Sequence, residues 1–221
     1  MIDDKRFIKF NFEKPNNNKT FKDSEIHILF YSEKNFLLSD NFKTDNDTLN
    51  FLSKIIKYDT SNPIVVRSEK GNFLLVRRKV ENRDLTNKYL EDIGGNIFNK
   101  IKSLDVSQAK IYENNISINE RLALGITLGS YKFKNYKKNK TKQLIKIKNI
   151  VFICSDPNKN SKKSFEIVNL AKGVFTARDL VWQPPNILFP SSFAVECKKL
   201  KAIGVKVTIY NEKHLQKMGM E

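Results

Sequence analysis

The stretch "GVFTARDLVWQPPNILFPSSF" (residues 173–193) determines how the chain divides. Apolar residues recur at helical spacing up to Val181, and Pro184-Pro185 then ends the helix, because a proline inside a helix removes a hydrogen bond and clashes with the preceding turn. A second helical pattern begins at once, behind Pro190. The stretch therefore predicts a junction between two structural units.

On both sides of this junction, helical and strand patterns alternate. Upstream, apolar alternation and turn signals predict strands and helices in turn. The predicted strands are Lys5–Phe12, Glu25–Tyr31, a hairpin within residues 62–80, Gln108–Tyr112 and Leu144–Cys154; the predicted helices are residues 45–58, 84–104 and 119–128. Asp47 or Thr48 is expected to cap the first of these helices. Alternating strands and helices are typical of an α/β fold with a mixed sheet and flanking helices.

The helix that leads into the junction is predicted to begin at Ser161 and to end before the double proline. Its apolar stripe is Ile167, Leu170, Val174, Ala177 and Val181. Downstream, the pattern predicts a helix over residues 191–203 ended by Gly204, a strand over Val205–Tyr210 and a further helix capped by Asn211. The pattern past residue 183 is thus the beginning of a second α/β unit.

Two adjacent glycines interrupt the predicted helix over residues 84–104. Gly94 and Gly95 each cost about 1 kcal/mol relative to alanine in a helix interior. They match no phosphate-binding pattern, so we expect them to mark a point where the helix packs closely against a sheet.

The composition indicates a protein with a core of its own. Of the 221 residues 40% are hydrophobic, which allows a sizeable core. Cys154 and Cys197 match no metal or redox spacing, which predicts reduced thiols in a cytosolic protein. No signal peptide and no 18-residue apolar run is found, so we expect a soluble, cytoplasmic protein that does not contact a membrane.

The net charge of +16 allows two interpretations. Such a charge is typical of nucleic-acid binding, yet only 7 of the 40 basic residues are arginine, the residue that base and phosphate recognition favour. Lys, Asn and Ile share A/T-rich codons, so a genome with that bias would give the same composition without selection for nucleic-acid binding. The lysines are densest after Gly129, where Tyr131, Phe133 and Tyr136 lie between them, as in single-strand binding grooves. Alternatively, the segment is solvated and its aromatic residues face the core. The candidate nucleic-acid contacts are Lys132, Lys134, Lys137, Lys138, Lys140 and Lys142.

The residues themselves suggest no catalytic or metal-binding constellation. The sequence has no Gly-x-Gly-x-x-Gly, phosphate-binding loop or Gly-x-Ser-x-Gly motif. His27 lies in a predicted strand with no second ligand at metal spacing, which favours a structural role. Glu113, Glu120 and Asp156 could meet in space, but their spacing gives no reason to expect it. We assign no catalytic residue and no metal ligand.

Two stretches resemble the cytosol (leucyl) aminopeptidases, the M17 family of metallopeptidases. Residues 123–140, "ALGITLGSYKFKNYKKNK", resemble a family stretch Gly-x-x-Leu-Gly-Ser-Tyr-x-Phe-x-x-Tyr-Lys. Residues 177–220 resemble the segment that opens the family's catalytic domain. The matching residues there are Ala177, Arg178, Asp179, Leu180, Pro184, Asn186, Pro190, Gly204 and Gly219, whereas Trp182 and Gln183 replace the family's Asn-Glu.

The resemblance implies an architecture and an activity. Residues 1–160 would form a macro-domain-like α/β domain, residues 161–183 a connecting helix, and residues 184–221 a truncated start of the catalytic domain. The family forms hexamers and hydrolyses the N-terminal residue of peptides with two divalent metals, Mn²⁺ or Zn²⁺, and bicarbonate. The family's metal-binding motifs, Gly-Lys-Gly-x-Thr-Phe-Asp-Ser-Gly-Gly and Asn-Thr-Asp-Ala-Glu-Gly-Arg, are absent here. We therefore expect this chain to bind no metal and to be inactive alone.

Three functional hypotheses follow. The chain is an N-terminal fragment of an aminopeptidase; or its basic domain binds nucleic acid; or it is an interaction module that self-associates or docks on full-length aminopeptidase chains. In each case the apolar residues of the helices around the junction are expected to be partly exposed.

Overall fold

The computed structural model describes residues 7–16, 21–32, 36, 39–79, 86–133, 146–147 and 149–220. It divides into two compact units, residues 1–175 and residues 176–221, which are described separately below. Within the described ranges, no helix is both long enough and apolar enough to cross a bilayer.

The first unit alternates strands and helices, as the sequence predicts. Its strands are β1 (Lys9–Glu13), β2 (Glu25–Tyr31), β3 (Ile64–Ser68), β4 (Gly71–Arg77), β5 (Gln108–Tyr112) and β6 (Asn149–Ile153). Its helices are α1 (Asn46–Tyr58), α2 (Asn87–Ile101), α3 (Ile116–Gly129) and α4 (Pro157–Val181), whose last turns belong to the second unit.

The strands form one sheet in the order β1-β6-β5-β2-β4-β3. Neighbouring strands are parallel except β3 and β4, which form the predicted antiparallel hairpin around Glu69-Lys70. The fold is therefore a mixed α/β sheet with flanking helices, as expected. Parallel strands need both faces covered, because the connections between them cross over the sheet.

Helices α2, α3 and α4 cover one face of the sheet. In β2, Ile26, Ile28 and Phe30 point into this core, while His27 lies on the other face, as the alternation predicts. Ile97 of α2 and Leu122 of α3 are fully buried in the same cluster.

Helix α1 covers part of the opposite face. Leu52 of α1 is fully buried there together with Leu29 of β2 and Phe73 of β4. The side chain of Asp45, rather than Asp47 or Thr48, caps the helix by accepting from the Thr48 N–H at 2.8 Å. The predicted cap was thus wrong by two residues or more, because Asp47 and Thr48 both lie within the first turn of the helix.

The glycines of α2 pack against a helix and not against a sheet. A Cβ atom at Gly94 would overlap the Leu122 carbonyl oxygen, and one at Gly125 would lie 2.7 Å from the Glu91 carbonyl carbon. Neither position has room for a side chain, so the two helices approach backbone to backbone. The predicted close packing at these glycines is confirmed, but they pack against helix α3 and not against the predicted sheet.

Helix α4 begins at Pro157, four residues before the predicted start. The Asp156 carboxylate accepts from the Lys159 N–H at 3.1 Å and satisfies a first-turn donor. The buried stripe of α4 also differs from the predicted one, since Leu170 and Val181 are exposed. Ile167 is buried as predicted, and the other buried residues of α4 are Asn160, Ser164, Ala171 and Phe175.

The second unit contains α5 (Pro190–Lys198), a 3-10 helix (Lys199–Ile203) and α6 (Glu212–Lys217). Gly204 ends the 3-10 helix at φ 88°, and the Asn211 side chain caps α6, both as predicted. The predicted strand over Val205–Tyr210 is not formed in the structure. A strand needs a neighbour for its hydrogen bonds, and residues 176–220 supply none.

We predict that Gly125→Ala lowers the free energy of unfolding by about 1–3 kcal/mol, because a methyl group forces α2 and α3 apart. Gly173→Ala is the matched control: among the described residues, no atom outside its own helix lies within 4 Å of a Cβ there, so alanine should add about 0.5–1 kcal/mol. Urea denaturation followed by circular dichroism measures both. A Gly125→Ala variant as stable as the unaltered chain would contradict the backbone contact.

Candidate functional site

The predicted nucleic-acid segment lies almost entirely outside the described residues. Lys134, Lys137, Lys138, Lys140 and Lys142 are outside them, and Lys132 is exposed. Tyr131, next to Lys132, is half-buried and contacts the Phe175 ring edge to face at 5.0 Å. This contact agrees with the alternative in which the aromatic residues face the core. The nucleic-acid contact itself stays a prediction.

The three acids that could have paired have separate surroundings. Glu113 is buried beside Arg78, Glu120 is half-buried on α3, and Asp156 caps α4. Among the described residues, no group of three His, Cys, Asp or Glu side chains could hold a metal ion.

The polar side chains that do converge lie at the carboxyl edge of the sheet. Helix α1 follows β2 on one face and α3 follows β5 on the other, and the strand order reverses between these two parallel strands. In open α/β sheets, ligands bind at such a switch point, outside the carboxyl ends of the strands. We therefore take this edge as the candidate site.

An ion pair between Arg78 and Glu113 lies at its centre. Arg78 follows β4 and Glu113 follows β5; the Nη2 and Oε2 atoms are 3.1 Å apart, and each side chain is only 8% exposed. The Arg78 guanidinium also stacks over the Phe30 ring, at 5.3 Å from its centroid. Burial raises the pKa of the Glu113 carboxyl, although the Arg78 charge acts in the opposite direction.

Buried amides extend this cluster to the next strand and two helices. The Asn119 side chain of α3 donates to the Glu113 carbonyl at 2.9 Å and to the Asn160 side chain of α4 at 3.0 Å. The Asn41 side chain donates to the Ile153 carbonyl at the end of β6. The cluster therefore ties the loops that follow β4 and β5 to α4, while the Asn41 bond separately ties the loop after β2 to the end of β6.

The chemistry of the edge is that of hydrogen bonding rather than of nucleophilic attack. The Nε and Nη1 atoms of Arg78 are buried and meet no acceptor among the described residues. Cys154, which follows β6, is a free thiol, and burial raises its pKa to about 11, so its nucleophilic thiolate form is disfavoured. Cys197 is also a free thiol, as expected for both cysteines.

An open cavity of about 290 Å³ lies at the same edge, beside the end of α1. Its volume is at the lower limit for a small-molecule site. It is lined by Tyr31, Ser32, Ile56, Lys57, Asp59, Thr60 and Arg77.

His27 is held in the sheet by aromatic neighbours. Its Nδ1 atom lies 2.9 Å from the Tyr112 hydroxyl, and the Phe21 ring contacts it edge to face. Burial, helped by the nearby Lys110 charge, lowers the His27 pKa from 6.5 to about 3, and burial raises the Tyr112 pKa. The structure thus confirms the structural role predicted for His27.

Sequence analysis singled out Glu113 but missed Arg78, Asn41, Asn119 and Asn160. Arg78 carried a usable signal, since it follows directly on the apolar run of β4, where a parallel strand reaches its carboxyl edge. The asparagines carried none, because only the fold brings them to Glu113 and Ile153.

Removing either charge of the buried pair should destabilise the protein. Arg78→Met leaves Glu113 buried without a counter-charge, and we expect a loss of about 3–5 kcal/mol in urea denaturation. The double variant Arg78→Met/Glu113→Leu should recover most of this loss. Lys146→Ala breaks the exposed pair with Asp105 and is the control, with an expected effect below about 1 kcal/mol. Equal losses in the single and double variants would contradict the interpretation.

Burial of His27 predicts that the stability of the folded chain depends on pH. The pKa of His27 is lower in the folded chain than in the unfolded chain, so only the unfolded chain is protonated between pH 6.5 and about 3. The stability that neutral His27 contributes is complete above pH 6.5. As the pH falls from 6.5 to about 3, this contribution decreases by about 1.4 kcal/mol per pH unit. His27→Gln should remove this slope, whereas His214→Gln on α6 should keep it. Identical slopes for His27→Gln and the unaltered chain would refute the assignment.

Comparison with known proteins gives partial sequence matches. A probable cytosol aminopeptidase of Chelativorans sp. is 42% identical over 101 residues, which is 45% of this chain and 20% of that protein. The Brucella anthropi relative of the same name is 39% identical over 141 residues, 58% of this chain and 27% of that protein. A third, from Wolbachia pipientis wMel, is 29% identical over 155 residues and is matched over 30% of its length. No protein-family model matches the chain.

A solved structure matches the fold over more of the chain than the sequence relatives do. A mutant of tomato leucine aminopeptidase superposes with a TM-score of 0.73 at 16% identity, over 99% of this chain and 47% of that chain. At this identity the comparison shows the fold alone. The chain therefore spans about half the length of this structural neighbour, and its matches span less than a third of the curated relatives.

Proposed function

Because this chain is a relative of the cytosol aminopeptidases, we propose that it constitutes the N-terminal portion of an aminopeptidase. In this proposal the first unit is a non-catalytic α/β domain. The second unit, from Thr176 onward, is the first segment of a catalytic domain. The observation that carries the proposal is the agreement of sequence and fold: two relatives match parts of the chain at 39% and 42% identity, and the fold match extends over nearly the whole chain.

The proposal assigns the chemistry to residues other than those described. Two divalent metals, Mn²⁺ or Zn²⁺, with bicarbonate, would activate water and polarise the scissile carbonyl in a complete enzyme of this family. The described residues offer no set of metal ligands that fits such a centre, and the sequence lacks the family's metal-binding motifs. We derive no catalytic step from this chain and propose that it is inactive alone.

The same relatives suggest a location and an assembly. We propose that the chain acts in the cytoplasm, in keeping with relatives named cytosol aminopeptidases. It would function in association with aminopeptidase chains or with further copies of itself.

The test is hydrolysis of a leucine chromogenic amide by the purified 221-residue chain with added Mn²⁺ or Zn²⁺. We expect no turnover above the rate of the metal alone, with the Chelativorans relative as positive control. Metal-dependent turnover would refute the proposal that this chain is inactive alone. No turnover combined with salt-dependent binding of single-stranded DNA would instead favour a nucleic-acid module, since displaced counterions make such binding fall steeply with salt.

A further inference from the structure

The second unit has secondary structure but no core. None of the residues from 176 to 220 is buried, although this segment includes α5, the 3-10 helix and α6. Burial of an apolar face is the main source of helix stability in proteins, and helices of nine and six residues are marginal in water without it. The unit therefore requires a surface to pack against.

The helix caps and turns of residues 176–220 are nevertheless formed. The Asn211 side chain accepts from the His214 N–H at 3.1 Å, and the Ser192 hydroxyl accepts from the Phe189 N–H at 2.9 Å. Gly204 and Gly219 both adopt the positive φ that ends a helical turn. Capping and turn chemistry that fit a single conformation indicate a segment built for a defined structure, not a disordered tail.

Large apolar side chains are exposed throughout the segment. Phe193 on α5 is 46% exposed, and Ile203 at the end of the 3-10 helix is 76% exposed. Exposed apolar patches of this kind mark interaction sites in soluble proteins. Other exposed members are Phe189, Val195, Ile209, Tyr210 and Met218.

Charge adds a second property of the expected partner. From 176 to 220 the segment has seven basic residues (Arg178 and six lysines) and three acids (Asp179, Glu196, Glu212), a net charge of +4. A partner for this segment is therefore expected to be apolar at its centre and acidic at its rim.

The length of the structural neighbour identifies the partner. The chain is covered almost completely, yet it accounts for only 47% of the tomato enzyme's chain. The other half of that fold has no counterpart among residues 1–221. We propose that the apolar surface of residues 176–220 is a docking surface for a polypeptide equivalent to that other half, and that docking also occurs when this polypeptide is supplied as a separate chain. This inference rests on the proposed function and adds to it a named surface and a named partner.

The experiment is co-expression of the tagged 221-residue chain with a C-terminal fragment of the Chelativorans relative, from which the segment that aligns with this chain has been removed. We expect a 1:1 complex by light scattering. The double variant Phe193→Asp/Ile203→Asp should lower recovery of the fragment at least tenfold. Phe165→Asp, which alters an apolar residue of α4 that is 69% exposed in the first unit, is the matched control and should change recovery less than twofold.

Three results would overturn the docking proposal. The first is failure of the fragment to co-purify with the unaltered chain, and the second is equal recovery with Phe193→Asp/Ile203→Asp. The third is a dimer of the 221-residue chain alone that protects residues 176–220 from hydrogen exchange, which would make a second copy the partner. Circular dichroism of each variant confirms that the first unit remains folded. Metal-dependent turnover by the chain alone refutes the proposed function instead, so the two failures are distinguishable.

Discussion

The backbone contact between α2 and α3 sets the geometry of the first unit. A mostly parallel sheet must be covered on both faces, and these two helices supply much of the cover on one of them. They can lie side by side on the sheet only because Gly94 and Gly125 lack side chains where the helices meet. Across the same contact, Arg121 pairs with Glu91 at 3.1 Å. The packing of the first core and the position of α3 depend on this approach.

The position of α3 in turn determines the carboxyl edge. Asn119, in the second turn of α3, reaches back to the Glu113 carbonyl and across to Asn160 of α4. Glu113 meets Arg78, so the ends of β4 and β5 are joined by charge as well as by the sheet. At this edge, the loss of one partner leaves a buried polar group without its hydrogen bond or counter-charge.

The two units differ in how they are stabilised. The first has two apolar clusters, one on each face of its sheet. The second has correct caps and turns with no buried residue, and its apolar side chains are exposed. This contrast supports the proposal that the first unit is a domain in its own right, whereas the second is the beginning of one.

Much of the fold could be predicted from local patterns. Strict alternation in Glu25–Tyr31 assigned each side chain of β2 to its face, and the Glu69-Lys70 turn predicted the hairpin. Tertiary contacts account for the errors: the partner of Gly94 is a helix from elsewhere in the chain, and Val205–Tyr210 has strand character but no neighbour to pair with. The candidate site was the least predictable part, because its asparagines come from a loop and two helices that only the fold brings together.

The first unit has a core of its own, and the second has no buried residue among those described. Hydrogen exchange by mass spectrometry of the dilute 221-residue chain measures this difference, because exchange in a stable core requires global unfolding. We expect amides of β2, β5 and β6 to exchange about 100-fold or more slowly than those of α5 and α6. Equal protection of the two sets in a monomer would contradict it.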